Sequence, residues 1–308
     1  MGGAGDQAPL TVGVDGQVLR GGSRLVAYAN FVKIAHTVFA LPFTVVGLVT
    51  ASHVRPLSWR AGLLAVAAFG AARFAAMGFN RIADAGYDAR NPRTADRELP
   101  AGRMSVREAW ALVVLMAAVF IAAAALLNPL CLALSPVALL WVTAYSFTKR
   151  FTAWSHLWLG LGMAIAPVGG YLAVTGAWME PWWALLLLAA VVTFWGAGFD
   201  VIYSLQDEAF DRAHGLRSFT VAMGPERAIF ASRILHVLAV LALVGFGAAA
   251  GYGVPFFAGV AVAVALLVWE HRLVVPGDYG RLDAAFFATN GIIAAVVMAG
   301  AIADAVLR

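Results

Sequence analysis

Nine apolar runs, each near the length that crosses a bilayer as a helix, constrain this chain more than any other feature. They lie near 31–52, 61–83, 108–127, 130–148, 155–175, 182–206, 227–250, 254–271 and 284–304. A helix needs about 20 predominantly apolar residues to cross the hydrocarbon layer. Inside lipid it must also satisfy every backbone polar group within itself. The 308-residue chain is 62% hydrophobic and 12% charged, roughly half the charged fraction of a soluble domain. The expected fold is therefore all-α: a polytopic membrane protein with one integrated bundle. Pro136 interrupts run four, which makes it the least regular of the nine. Residues 1–22 are rich in Gly and polar residues, lack the apolar segment of a signal peptide, and are expected to form a disordered cytoplasmic tail. Residues 23–308 are expected to form a single transmembrane domain.

The basic residues sort to one side. Of 21 Lys and Arg, seventeen lie in or beside the tail and the loops after runs two, four, six and eight, whereas three lie on the opposite side. Cytoplasmic loops carry such an excess, so the N-terminus and those loops are expected in the cytoplasm. This pattern explains the net charge of +4 by topology and gives no reason to invoke nucleic acid. The lone cysteine, Cys131, excludes a disulfide framework and a cysteine metal site.

Two acidic stretches emerge on that basic side. Asn80, Asp84 and Asp88 are four residues apart, a spacing that puts them on one helix face. Arg81, Arg90, Arg93 and Arg97 lie among and after them. The pattern fits a solvated helix end with salt bridges, or carboxylates holding Mg²⁺ while arginines hold phosphates. Asp200, Asp207 and Asp211 repeat it, with Asp84 and Asp88 mapping onto Asp207 and Asp211 at one offset of 123 residues. Those offsets also suit one helix face. Two carboxylate sets facing each other would repel unless cations lay between them. Asp200 and Arg73 lie within apolar runs, where an ionisable residue is a functional candidate. Arg73 suits either an acidic side chain of the bundle or a substrate carboxylate. Lys149 and Arg150 are the only charges of their loop, read as a topology signal or as phosphate contacts. Tyr145 is read as an interfacial anchor or a polar contact. His36, His156 and Asn290 suit interhelical hydrogen bonds.

Asn80-x3-Asp84-x3-Asp88, Asp200-x6-Asp207-x3-Asp211 and Tyr145-x3-Lys149-Arg150 together resemble the UbiA superfamily of intramembrane aromatic prenyltransferases, from roughly residue 25 to the end. The resemblance implies nine transmembrane helices around a central cavity, capped by the cytoplasmic loops after helices two and six. It implies metal ligation by Asn80, Asp84, Asp88, Asp200, Asp207 and Asp211, with Asp84, Asp88, Asp207 and Asp211 as the catalytic set and Mg²⁺ as the cofactor. It gives the diphosphate to Arg97, Lys149 and Arg150, and the acceptor's carboxylate to Arg73. NPRTADRELPAG and SFTKRFTAWSHLWLGLGMAIAPVGGYLAVTG are most similar to the 4-hydroxybenzoate polyprenyltransferase-like branch, which includes futalosine-route menaquinone members. Ubiquinone-type members often carry Pro-Gln at Ser155-His156, a departure that bears on the acceptor. The implied function is transfer of a polyprenyl group from polyprenyl diphosphate to an aromatic acid such as 4-hydroxybenzoate. The alternative acceptor is 1,4-dihydroxy-6-naphthoate. The implied place is a prokaryotic inner membrane, with the active site facing the cytoplasm. Two other classes share parts of this pattern. An ion-coupled transporter also uses intramembrane acids and internal repeats, although its sites tend toward the midplane. A CDP-alcohol phosphotransferase would need a denser acidic motif than the stretch from Asp84 to Arg90 supplies.

Overall fold

The computed structural model describes residues 24–32, 37–274, 277, 282 and 289–308. The tail to residue 22, Lys33, His36 and the start of run nine at 284–288 lie outside the described residues. All regular structure among the described residues is helical: α1 (Arg24–Phe31), α2 (Thr37–Ser52), α3 (Trp59–Asp88), α4 (Val106–Leu127), α5 (Pro129–Thr148), α6 (Ser155–Thr175) and α7 (Trp183–Tyr203). A 3₁₀ turn (Ser204–Asp207) follows, then α8 (Glu208–Ala213), α9 (Phe219–Met223), α10 (Pro225–Ala249), α11 (Val254–Leu273) and α12 (Asn290–Leu307). Among the described residues, eight helices are long and apolar enough to cross a membrane: α3, α4, α5, α6, α7 with its continuation to Ala213, α10, α11 and α12. α2 is shorter and apolar over Leu41–Ser52.

The element ends follow from local chemistry. Ser105 and Glu108 form a reciprocal capping box at the start of α4, which satisfies two backbone donors that a helix start leaves open. Asn128 accepts from the Cys131 backbone N–H at 2.9 Å and starts α5, with Pro129 in the first position, where its missing N–H costs nothing. Pro136 does not break α5. A proline there frees the carbonyl four residues back, and Ser135 Oγ donates to that carbonyl, on Leu132, at 2.9 Å. The sequence shows the interruption; the serine beside it repairs the helix.

One apolar core joins α2, α6, α7, α10, α11 and α12 around Phe43, Leu185, Leu188, Trp195, Phe246 and Phe256. Small residues let these helices approach. A Cβ on Gly47 of α2 would lie 2.0 Å from the Pro167 carbonyl oxygen, and one on Gly160 of α6 would lie 2.2 Å from that of Thr193. Close backbone contact replaces the hydrophobic drive that lipid cannot supply. α4 and α5 expose Val114, Leu115, Val137 and Leu140, as helices facing lipid do.

Two boundaries bear on the site. α3 continues five residues past run two, so Asn80, Asp84 and Asp88 all lie on one helix, as their spacing predicts. The second set departs from expectation. Asp200 lies on α7, but the α-helix ends at Tyr203, and the 3₁₀ turn separates it from α8, which carries Asp211. Asp207 is the last residue of that turn. A 3₁₀ turn has about 3.0 residues per turn against 3.6 for an α-helix. Asp200 therefore does not share one α-helical face with Asp207 and Asp211.

Candidate active site

A cavity of about 180 Å³ lies where α3, α5 and α7 end and α6 begins, and Asp84, Asp88, Asp200, Asp207 and Asp211 all line it. Two stretches more than a hundred residues apart in sequence therefore meet. The basic lining comes from the loops: Arg93 and Arg97 after α3, and Lys149 and Arg150 after α5. Asn80, Tyr145 and His156 complete the polar wall.

Local structure places each of these groups. Asn80 Nδ2 donates to Asp84 Oδ2 at 2.9 Å, one turn along α3, and to Ser146 Oγ of α5 at 3.4 Å. The loop after α3 turns at Asn91-Pro92, where the Thr94 N–H donates to the Asn91 carbonyl at 2.9 Å. Asn followed by Pro suits the first two positions of such a turn. Asn91 Oδ1 also accepts from the Arg93 N–H at 3.0 Å, and Thr94 Oγ1 donates to the Asp88 carbonyl at 3.1 Å. This folds the loop back over the end of α3. On the other side, the Arg217 N–H donates to the Lys149 carbonyl at 2.6 Å, tying the loop after α8 to that after α5.

The charges balance in pairs. Arg93 grips Asp207 with two hydrogen bonds, Nε to Oδ1 at 3.0 Å and a terminal nitrogen to Oδ2 at 2.7 Å. It also donates to the Tyr203 hydroxyl at 3.2 Å. Arg97 meets Asp88 at 2.6 Å, Lys149 meets Asp211 at 3.1 Å, and Arg150 lies 3.5 Å from Asp84. Asp200 pairs with His156 Nδ1 at 2.6 Å. Burial alone would lower the Lys149 pKa, but Asp211, Asp207 and Asp200 hold the ammonium above the ordinary lysine value.

The donor set fits a hard divalent cation. Five carboxylates line one cavity, and Asp88 Oδ2 is buried without a hydrogen-bond partner, with Arg81 4.0 Å away. Oxygen ligands of this kind suit Mg²⁺, which takes one or two carboxylates and completes its shell with water and phosphate oxygens. Among the described residues, no group of three His, Cys, Asp or Glu side chains is arranged to hold an ion as the structure stands. The carboxylates are engaged with Arg, Lys and His instead.

Arg73 lies seven residues before Asn80 on α3, about 10 Å further into the membrane, and does not line the cavity. Arg90 is exposed and donates to the Gly86 carbonyl at 2.9 Å. Arg93 stands out less in the sequence than it does in space. It is one of several arginines there, and only the Asn91-Pro92 turn beside it hints that it is aimed. Asn290 makes the interhelical bonds expected of it, accepting from Trp195 Nε1 at 2.9 Å and donating to Glu270 at 3.1 Å.

The fold and this cavity define a membrane-embedded helical protein with a charged mouth. A family model, the UbiA prenyltransferase family, matches residues 40–292. The chain belongs to that family. A 4-hydroxybenzoate octaprenyltransferase of Aromatoleum aromaticum is 31% identical over 220 residues, covering 71% of this chain and 74% of that one. A solved apo structure of a UbiA homolog from Aeropyrum pernix K1 superposes with a TM-score of 0.80 at 36% identity, covering 87% of this chain and 98% of that one. A UbiA homolog from Archaeoglobus fulgidus, solved bound to GPP and Mg²⁺, has the same fold, with a TM-score of 0.67 at 20% identity over 91% of this chain and 99% of that one.

Proposed function

We infer that this chain transfers a polyprenyl group from a polyprenyl diphosphate to an aromatic acid of the 4-hydroxybenzoate type, for quinone biosynthesis, with Mg²⁺ as cofactor. The observation that carries the reading is the meeting of Asp84, Asp88, Asp207 and Asp211 with Arg93, Arg97, Lys149 and Arg150 around one cavity. The acceptor class draws support from relatives named 4-hydroxybenzoate octaprenyltransferase at about 30% identity.

Asn80 and the carboxylates of Asp84, Asp88, Asp200, Asp207 and Asp211 are the groups to hold the cation. When bound, Mg²⁺ neutralises charge developing on the leaving diphosphate. Arg93, Arg97, Lys149 and Arg150 donate hydrogen bonds to the diphosphate oxygens, which grow more negative as the C–O bond breaks. Arg73, deeper on α3, is the candidate partner for the acceptor's carboxylate. The surrounding apolar bundle keeps water from the allylic cation. Diphosphate takes the electron pair of the broken C–O bond, a ring carbon ortho to the hydroxyl bonds the allylic carbon, and the ring proton leaves with the diphosphate.

In this reading residues 23–308 are one domain, with the N-terminal tail and the cavity mouth in the cytoplasm of a prokaryotic cell. α2 completes nine spans around the cavity. The test supplies membranes containing the protein with 4-hydroxybenzoate or 1,4-dihydroxy-6-naphthoate, several prenyl diphosphates and Mg²⁺, and identifies products by mass. A prenylated acid that disappears with EDTA is the expected result. Absence of any prenylated product across these pairs, or product formation indifferent to EDTA, refutes the reading.

A further inference from the structure

Each carboxylate of the cavity already has a partner from this chain. Asp207 is held by Arg93 through two hydrogen bonds, Asp211 by Lys149, Asp88 by Arg97, Asp84 by Arg150 and Asp200 by His156. The two closest of these arginine pairs are largely buried: Arg93 and Asp207 are 19% and 14% exposed, and Arg97 and Asp88 12% and 9%.

Buried pairs are costly to split, because removing one partner strands the other charge. A divalent cation arriving alone must take Asp207 from Arg93 and leave a guanidinium in the cavity without its carboxylate. A diphosphate arriving alone must take Arg93 and Lys149, and leave carboxylates of like charge around one space. Together, the cation replaces the basic residues on the aspartates while the diphosphate replaces the aspartates on the basic residues. No charge is then stranded.

We propose that Arg93 is a placeholder on Asp207, the most fully hydrogen-bonded of four such bridges, and that these bridges oppose a divalent cation until a diphosphate arrives, so that the two bind cooperatively. The proposal rests on the metal–diphosphate reading above. Arg93 has two positions in it: on Asp207 in the empty cavity, and on the diphosphate in the filled one. Its removal therefore has effects of opposite sign. The cation alone gains affinity, because Asp207 is released. The coupling between cation and diphosphate falls, because a partner for the anion is lost. By linkage the diphosphate loses the same factor of assistance from the cation.

The test uses the full chain in detergent, with Mn²⁺ as a paramagnetic probe and inorganic diphosphate as the anion. Bound Mn²⁺ is read by electron paramagnetic resonance, at free concentrations corrected for the complex the two form in solution. In the wild type, diphosphate should raise Mn²⁺ affinity at least tenfold. Arg93→Gln should bind Mn²⁺ alone about tenfold more tightly than the wild type, about 1.4 kcal/mol, and show reduced coupling. Arg93→Lys, which keeps the charge, should lie between the two. An Arg93→Gln protein that binds Mn²⁺ alone no better than the wild type overturns the proposal. Were that variant not to fold, a wild-type coupling factor near one would overturn it equally. If the wild type takes up no Mn²⁺ even with diphosphate, the metal–diphosphate reading fails first. If it does, and only Arg93→Gln misbehaves, that reading stands and the placeholder alone is lost.

Discussion

Asp84 reaches the cavity from α3 and Asp207 from the 3₁₀ turn after α7, and each belongs to a different acidic set. Asp84→Ala or Asp207→Ala should lower prenyl transfer by at least a hundredfold while the protein still accumulates in membranes, measured by product formation per amount of inserted protein. Near-normal turnover would remove these residues from the reaction. Arg73→Ala should raise KM for the aromatic acid and leave KM for the prenyl diphosphate unchanged, since Arg73 lies away from the charged lining; equal shifts in both would deny it that role. Lys149 gives a pH prediction. Its folded pKa lies above the ordinary 10.5, against the effect of burial, because of Asp211, Asp207 and Asp200. A raised folded value stabilises the protein fully below the unfolded pKa and is lost as pH climbs through the folded one. Lys149→Met should therefore lower the thermal midpoint by about 2–4 °C between pH 7 and 10. That gap should close above the lysine range, and a gap that closes below pH 9 contradicts the assignment. The candidate residues could be picked out in the sequence because a second acidic set repeats the first at one offset, each at the end of an apolar run and before a basic loop. Their pairing could not, because which arginine meets which aspartate depends on how a loop folds back. Arg93 and Arg97 differ little as letters, yet one reaches Asp207 and the other Asp88.

At the scale of helices, spacing and composition carried most of the information. The run at 155–175 coincides with α6, and runs three, four, six, seven and eight lie within three residues of their helices; α3 continues five residues past run two, and parts of runs one and nine lie outside the described residues. The exceptions have local causes. α5 survives Pro136 because Ser135 takes the freed carbonyl of Leu132. α7 tightens into a 3₁₀ turn at Ser204–Asp207, which the apolar pattern does not register because that pattern fades there. Packing between helices rests on glycines whose importance the sequence does not rank. Gly160→Leu should destabilise the protein by roughly 1–3 kcal/mol, because its Cβ would meet the Thr193 carbonyl oxygen at 2.2 Å. Gly62→Leu, with nothing within 4 Å, should be neutral. Thermal inactivation of the two variants side by side checks this, and equal midpoints would mean α6 and α7 can part without cost.

For the molecule as a whole, the arrangement in the membrane is the open expectation. In a Cys131→Ala background, Arg103→Cys should react with an impermeant maleimide only after cells are permeabilised, and Arg55→Cys should react in intact cells. The reverse pattern would invert the topology and put the cavity outside. The sequence by itself determined that the chain lives in lipid, that it is built of helices, and that two acidic sets belong to one basic side, because length, hydropathy and charge bias act on each segment separately. Only the tertiary structure decided that those sets line one cavity, that the first rides a single helix while the second is broken by a turn, and that each carboxylate is held by a basic residue or histidine of this chain. Those outcomes depend on contacts between residues far apart along the backbone, and such contacts follow from packing in three dimensions.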